Sequence, residues 1–342
     1  MNIKQIAKKL KVSTATVSRA LTPETQKLVN PKTLQKILNF TELYNYTPNQ
    51  AARKLVTGKS NNIVAFFKPQ PYSAFFDDYY SKFIAGLINA ISPTSFNITI
   101  SLIKDDASNF DLREAIEKTD DIAGAIFCSM GGFLKIAEQD FSDLKCPLLV
   151  LNMNISRTIE NCFHIDNYKS AYDATEYLIK KGHKKIAIVK GKEGIDCTEA
   201  RFNGYVSALL DNKLEPNPKF CFNSDFLDED GAKAINYFFS KNKKERPTAV
   251  FFANDSMALN AILQLKKIGL TCPNDVSIMG FDGLNLGRYC DPPLTSVLQP
   301  AYEMAHDGIT QIIELIKGTK KSIGTIVFPT KILERNSVKD LN

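Results

Sequence analysis

Residues 3–21 read IKQIAKKLKVSTATVSRAL, two short helical patterns separated by a single break. Ile3, Ile6, Ala7 and Leu10 fall at i, i+3, i+4 and i+7, one apolar helical face. Lys11-Val12-Ser13 interrupts that face. Ser13 or Thr14 is suited to cap a second helix, Thr14 to Leu21, with Val17, Ala20 and Leu21 turned inward. Two short helices joined by so brief a turn form a helix-turn-helix. The second helix opens with the short residues Thr14 and Ala15, presents Thr16 and Ser18, and carries Arg19 one turn on. Short side chains let a helix sit deep in the major groove, and an arginine reads guanine with paired donors. A third helix is expected after Pro31, over 32–43, with Leu34, Ile37, Leu38 and Leu43 as its core positions.

Charge supports this reading. Residues 1–60 hold eleven Lys and Arg against Glu24 and Glu42, a net +9, whereas the whole chain of 342 residues is +6. The remaining 282 residues therefore sum to −3. A basic head on a mildly acidic body points to a polyanion-binding module, because each cation seated on a phosphate releases a condensed counterion. A lysine-rich face on a plain three-helix bundle would explain the charge, but not the order of the elements.

The rest of the composition is that of a globular protein, 44% hydrophobic and 23% charged, long enough for two or three domains. No run approaches the ~20 apolar residues of a membrane span, and the N-terminal lysines are not followed by the apolar run of a signal peptide. The seven cysteines (128, 146, 162, 197, 221, 272 and 290) are scattered, with no C-x-x-C pair. They are expected to be reduced and mostly in the core of a cytoplasmic protein.

Beyond residue 61, short β-branched or aromatic runs alternate with amphipathic stretches. Strands are expected at 63–67, 98–103, 125–128, 148–151, 185–189, 249–252 and 276–280, and helices at 79–91, 168–181, 199–212, 228–240, 255–268 and 301–317. Such alternation implies α/β architecture, with parallel sheets covered on both faces, and there are enough units for two lobes. Asn152, Asn254-Asp255 and Asp282 follow strand candidates, and Arg201 stands early in a helix. Ligands of open α/β sheets bind beyond the carboxyl ends of the strands. Together these residues favour a polar small-molecule cleft, although Asp255 alone could equally cap a helix.

The head motif, followed by Tyr46-Thr47-Pro48-Asn49-Gln50-Ala51-Ala52-Arg53-Lys54-Leu55, resembles the lactose/galactose-repressor (LacI/GalR) family of bacterial transcription regulators. The resemblance continues through His164-Ile165-Asp166-Asn167, Lys181-Gly182-His183, Arg201-Phe202-Asn203-Gly204-Tyr205, Asn254-Asp255-Ser256, Phe281-Asp282, Pro293-Leu294-Thr295-Ser296-Val297 and Glu334-Arg335. It implies a helix-turn-helix head at 1–48, a hinge helix and linker at 49–60, and a periplasmic-binding-protein-like core at 61–342. That core would have two doubly wound parallel-sheet lobes, an N-lobe of about 61–162 plus 290–322 and a C-lobe of about 163–289 plus 323–342.

By the same resemblance, DNA contacts are expected from Thr14, Ala15, Thr16, Ser18, Arg19, Asn49, Ala52, Arg53 and Leu55, the leucine wedging into the minor groove. Residues 49–57 are too few for a stable lone helix, which fits a hinge that orders on DNA, and Val56 stands where many members carry a basic residue. Effector contacts are expected from Tyr79, Tyr80, Asn152, Arg201, Phe226, Asn254 and Asp282. Their carboxylate, amide and guanidinium groups suit a sugar-like polyol, with Phe226 covering an apolar ring face. Asn152 stands where sugar-binding members often carry Asp, and an amide donates as well as accepts, which admits a sugar derivative. The implied partners are a pseudo-palindromic operator, a small effector and a second copy of the chain, with no membrane and no cofactor.

Signs of catalysis are weak. His164, His183 and His306 are too dispersed for a metal motif. Gly191-Lys192-Glu193-Gly194 is a fragment of a phosphate loop that lacks the remainder of its pattern. A sugar-modifying enzyme or a transport-type binding protein would share the body but leave the basic head unexplained.

Overall fold

The computed structural model describes residues 1–46, 60–67, 78–103, 111–128, 141, 143–153, 160–240 and 242–342. The chain forms two compact units, Met1–Ser60 and Asn61–Asn342.

In the first unit, α1 (Ile3–Leu10) starts at Asn2, whose side chain accepts from the Gln5 amide while the Gln5 side chain returns to the Asn2 amide. This capping box satisfies two otherwise orphaned donors. Lys11, at φ 53°, stops the helix in the left-handed region. α2 (Thr14–Ala20) is capped by Ser13, whose Oγ accepts from the Thr16 amide at 3.0 Å. α3 (Pro31–Leu43) closes the bundle. Ile6, Ala7, Leu10, Val17, Ala20, Val29 and Ile37 form its core, with Leu34 and Phe40 packed against them. Leu43, expected in that core, is 76% exposed. The last turn instead points Thr41 inward, because the apolar stripe has rotated by the helix end.

The second unit carries two six-stranded sheets. Strands β1 (Asn62–Phe67), β2 (Asn97–Leu102), β3 (Gly124–Cys128), β4 (Leu148–Leu151) and β5 (Cys162–Ile165) belong to the first. β6 (Ile186–Val189), β7 (Cys221–Phe222), β8 (Ala249–Phe252), β9 (Ser277–Asp282) and β10 (Thr295–Leu298) belong to the second. β11 (Thr325–Phe328) then joins the first sheet and β12 (Lys331–Leu333) the second. The orders are β2-β1-β3-β4-β5-β11 and β7-β6-β8-β9-β10-β12, all parallel except the β10–β12 pair. Each order reverses at its first-formed strand, β1 or β6, the place where doubly wound sheets hold ligands.

Helices α4 (Asp78–Ile91) and α5 (Leu112–Glu117) flank the first sheet, and α6 (Asn167–Lys180), α7 (Asp196–Asp211), α8 (Asp228–Phe239) and α9 (Asp255–Lys267) flank the second. α10 (Ala301–Ile316) returns to the first, where it packs on α4. Alternate residues of one strand serve opposite faces: Val64 and Phe66 pack with α5, whereas Ile63, Ala65 and Phe67 pack with α4. The α4–α10 crossing is close because Gly86 has no side chain; a Cβ there would lie 2.4 Å from the Tyr302 carbonyl oxygen.

The strand order moves the expected lobe boundaries. β5 lies in the first sheet, so the chain first crosses after Ile165 rather than at 162. Thr295–Leu298 pairs with β9, so this part of the segment expected in the N-lobe belongs to the second sheet. Thr325–Phe328 pairs with β5, so it belongs to the first. The three connections between lobes therefore run 165–167, 298–301 and 328–331.

Candidate functional site: a reading helix and an interlobe cleft

On the head, Thr14, Ala15, Ser18 and Arg19 are exposed. Arg19 forms no ion pair among the described residues. Thr16 is half-buried, and its hydroxyl lies 2.8 Å from that of Ser13, so it completes the cap. The exposed face of α2 is thus small at its start and cationic at its end. Lys8 and Lys9 lie in the last turn of α1. Asn49, Ala52, Arg53 and Leu55 lie outside the described residues.

In the body, every expected effector residue follows the carboxyl end of a parallel strand or stands near the start of the next helix. Tyr79 and Tyr80 open α4, after β1. Asn152 directly follows β4, Arg201 lies in the second turn of α7, Phe226 follows β7, Asn254 follows β8 and Asp282 ends β9. Three of these hold a positive φ, Asn152 at 63°, Phe226 at 64° and Asp282 at 127°. Backbone strain of this kind costs about 1–3 kcal/mol per residue and collects at functional sites.

The second-lobe half is continuous. Arg201 is 6% exposed. Its Nε donates to Asn167 Oδ1 at 2.9 Å, its Nη1 donates to the Ala253 carbonyl at 2.5 Å, and its guanidinium lies 3.7 Å from the centre of the Phe281 ring. Two of its five N–H donors are thereby committed among the described residues. Phe226 covers Gly191 so closely that a Cβ on the glycine would fall 1.8 Å from the ring. Asn254 is the N-cap of α9: its Oδ1 accepts from the Met257 amide at 2.8 Å and its Nδ2 donates to the Phe226 carbonyl at 3.3 Å. It bonds the Phe226 carbonyl and caps the helix, which was one of two readings open for Asp255.

A residue missed from the sequence links this half to the first lobe. Gln299 is 3% exposed. Its Nε2 donates to Asp282 Oδ1 at 2.6 Å, and its Oε1 accepts from the Tyr79 hydroxyl at 3.0 Å. An ionised carboxylate only accepts, which fixes the orientation of the amide. No strand or site residue was expected at Gln299, and only its place in a connection between lobes gives it this reach. Cys197, expected to be reduced, is a free thiol whose pKa burial pushes up, opposed by the nearby Arg201 and reinforced by Asp196 and Asp282. Tyr80 is a core residue instead, 2% exposed with its ring 6.2 Å from that of Phe67. His183, one of the three dispersed histidines, bonds Thr248 Oγ1 and the Lys339 carbonyl. Among the described residues, no cluster of three or more His, Cys, Asp or Glu has metal-binding geometry, and no helix is long and apolar enough to cross a membrane.

Comparison with known proteins accords with both halves. Residues 2–49 match the description "Bacterial regulatory proteins, lacI family", and residues 175–338 match a periplasmic binding protein-like domain. The HTH-type transcriptional repressor CytR of Escherichia coli (strain K12) is 30% identical over 344 residues, covering 99% of this chain and 96% of that protein. The probable HTH-type transcriptional repressor ExuR of Bacillus subtilis (strain 168) is 32% identical over 342 residues, covering 100% and 99%. Among solved structures, the lac repressor dimer bound to operator and the anti-inducer ONPF has a TM-score of 0.79 at 20% identity, covering 99% of both chains. The regulator CelR in complex with cellobiose has a TM-score of 0.71 at 22% identity, covering 98% of this chain and 99% of that one. These two structures share the fold, and the full-length relatives share the sequence from reading helix to C-terminus. The chain belongs to the LacI family of bacterial regulatory proteins and is a DNA-binding transcription regulator, not an enzyme.

Proposed function

We propose that this protein is a cytoplasmic, homodimeric repressor whose affinity for a pseudo-palindromic operator is set by a small polar effector, a sugar or sugar derivative, held between its two lobes. In this reading Thr14, Ala15, Ser18 and Arg19 meet base edges, and Asn49, Ala52, Arg53 and Leu55 meet the minor groove. Arg201 and Asp282 hold ligand hydroxyls from the second lobe, Asn152 and Tyr79 meet them from the first, and Phe226 covers a ring face. The relatives named as repressors support the direction of control, and the neighbour crystallised with cellobiose supports the class of ligand.

The observation that carries the reading is the Tyr79–Gln299–Asp282 chain, which joins side chains of both lobes at the mouths of both sheets. A ligand there competes for, or completes, the bonds that fix the lobes relative to one another. It therefore has different free energies in two lobe arrangements, the condition for allosteric control. The test is a thermal-shift screen of the full-length protein against pentoses, hexoses, uronic acids, disaccharides including cellobiose, and nucleosides. A ligand at ~100 times its Kd adds about 2.7 kcal/mol of stability. The expected hit loses at least ~10-fold in affinity in Arg201→Ala and Asp282→Ala, in line with about 1–3 kcal/mol for each buried partner left unpaired. A hit whose calorimetric affinity is the same in both variants would overturn the assignment of the cleft.

A further inference from the structure

Asp255 is fully buried, and the contacts described so far give it no task. It is the first residue of α9, but Asn254 already caps that helix. Its Oδ1 accepts from Ser296 Oγ at 2.5 Å, and its Oδ2 accepts from the Leu284 amide at 2.7 Å. Ser296 Oγ in turn accepts from the Gly283 amide at 3.1 Å. Room for the carboxylate comes from Gly280, where a Cβ would lie 2.0 Å from Oδ1. Burial pushes the Asp255 pKa up to about 6, while the Ser296 hydroxyl, the Leu284 amide, Arg335 and Lys82 pull it down. A carboxylate kept in such a place costs stability and calls for a reason beyond packing.

The reason lies in what Leu284 and Gly283 also carry. The Gly283 carbonyl accepts from Lys82 Nζ at 2.7 Å, and the Asn285 amide donates to Asp78 Oδ2 at 2.6 Å. Asp78 and Lys82 sit in the first turns of α4, on the other lobe. Residues 282–285 are thus held from one side by Asp255 and Ser296 and from the other by the start of α4, and their first member is Asp282.

We propose that Asp255 is a positioning residue of the effector site: with Ser296 it fixes the 282–285 loop, and so sets both where Asp282 meets a ligand and how that loop grips Asp78 and Lys82. The role at Asp282 rests on the cleft reading above; the role in the interlobe grip does not. The groups facing Asp255 are the Ser296 hydroxyl from β10, the Leu284 amide from the loop, Lys82 from α4 and Arg335 from the C-terminal segment. Asn in its place has one acceptor atom instead of two: if its NH2 faces the Leu284 N–H, donor meets donor, and if it faces Ser296 Oγ, the serine hydroxyl loses the acceptor it donates to and must turn away.

The test is amide hydrogen exchange on the full-length protein without ligand, for wild type, Asp255→Asn and Ser296→Ala. The expected result is at least ~10-fold faster exchange at Gly283, Leu284 and Asn285 in Asp255→Asn, with loosening of the first turn of α4 and no change in β6 and β8. Ser296→Ala is expected to free Gly283 first, which keeps the inference testable if the Asn variant folds poorly. In wild type, loop opening corrected for intrinsic exchange is expected to grow as the pH rises from about 4 to about 6, because a folded pKa raised above 3.8 means that the closed loop holds the Asp255 proton more tightly than the opened one, and this pH dependence is expected to vanish in Asp255→Asn. A loop equally protected in both variants overturns the proposal, as does protection lost evenly over the whole sheet. A loosened loop with an unchanged α4 turn overturns the interlobe half. Because exchange is read on the free protein, these results stand whether or not the sugar screen finds a ligand.

Discussion

Single side chains in this molecule are set by what their neighbours lack. Gly191 and Gly280 leave space that Phe226 and Asp255 fill, and a Cβ at either would fall within 2.0 Å of the occupant. Gly191→Ala is therefore expected to displace Phe226 and destabilise the protein by about 1–3 kcal/mol, the usual cost of overpacking; urea unfolding measures it, and an unchanged midpoint would mean the ring moves freely. Two buried ionisable groups make opposite predictions with pH. Burial lowers the His183 pKa below its usual 6.5, so its contribution is present above that value and is lost as pH falls through the folded pKa. The Asp255 pKa is raised from 3.8 to about 6, so its contribution is full below 3.8 and is lost as pH rises through about 6. His183→Gln is expected to flatten the acid-side loss of stability, and Asp255→Asn to flatten the loss between pH 4 and 6. A stability–pH curve unchanged in both variants would contradict the assigned shifts. The residue types of the cleft could be read from the sequence because strand ends advertise them. Gln299 could not, because its partners Tyr79 and Asp282 come from distant parts of the chain.

Helices proved more readable than strands. α3, α4, α6, α8, α9 and α10 lie within a residue or two of expectation, because each carries a long apolar stripe. β5, β7, β10, β11 and β12 went unread. They are two to four residues long, and β11 is largely exposed at a sheet edge, so no alternation marks it. The expected range of α2 was correct because its cap is local: Ser13 bonds the Thr16 amide. Ser13→Ala is expected to cost about 1 kcal/mol through loss of that cap, seen as faster exchange of the first-turn amides of α2. Arg19→Ala leaves the cap intact and instead removes the proposed base reader. Against an operator selected in vitro by the full-length protein, it is expected to cost about 1–3 kcal/mol and to relax the preference at one base pair. Equal affinity and equal selectivity in mutant and wild type would take Arg19 out of the reading helix's role.

In the body, the chain passes between the lobes in three connections. Their number was expected, but their positions shifted, because β10 and β11 exchange sheets in a way that only pairing reveals. Gln299 lies in the second connection and is bonded to both lobes, so it reports on their relation directly. Gln299→Ala removes one bond from the Tyr79 hydroxyl and one from the Asp282 carboxylate, at about 0.5–1.5 kcal/mol for each bond lost. Gln299→Glu is more telling. It keeps the acceptor for Tyr79 but sets a carboxyl where an amide donated to Asp282 at 2.6 Å. Two carboxyls so close share a proton, with one pKa strongly raised. The variant is therefore expected to be close to wild type near pH 5, where the shared proton restores the donor, and to lose stability steadily toward pH 8. Urea midpoints at the two pH values measure this. A Gln299→Glu protein equally stable at both would mean that Asp282 and residue 299 part in solution, leaving the Asp78 and Lys82 contacts to tie the lobes.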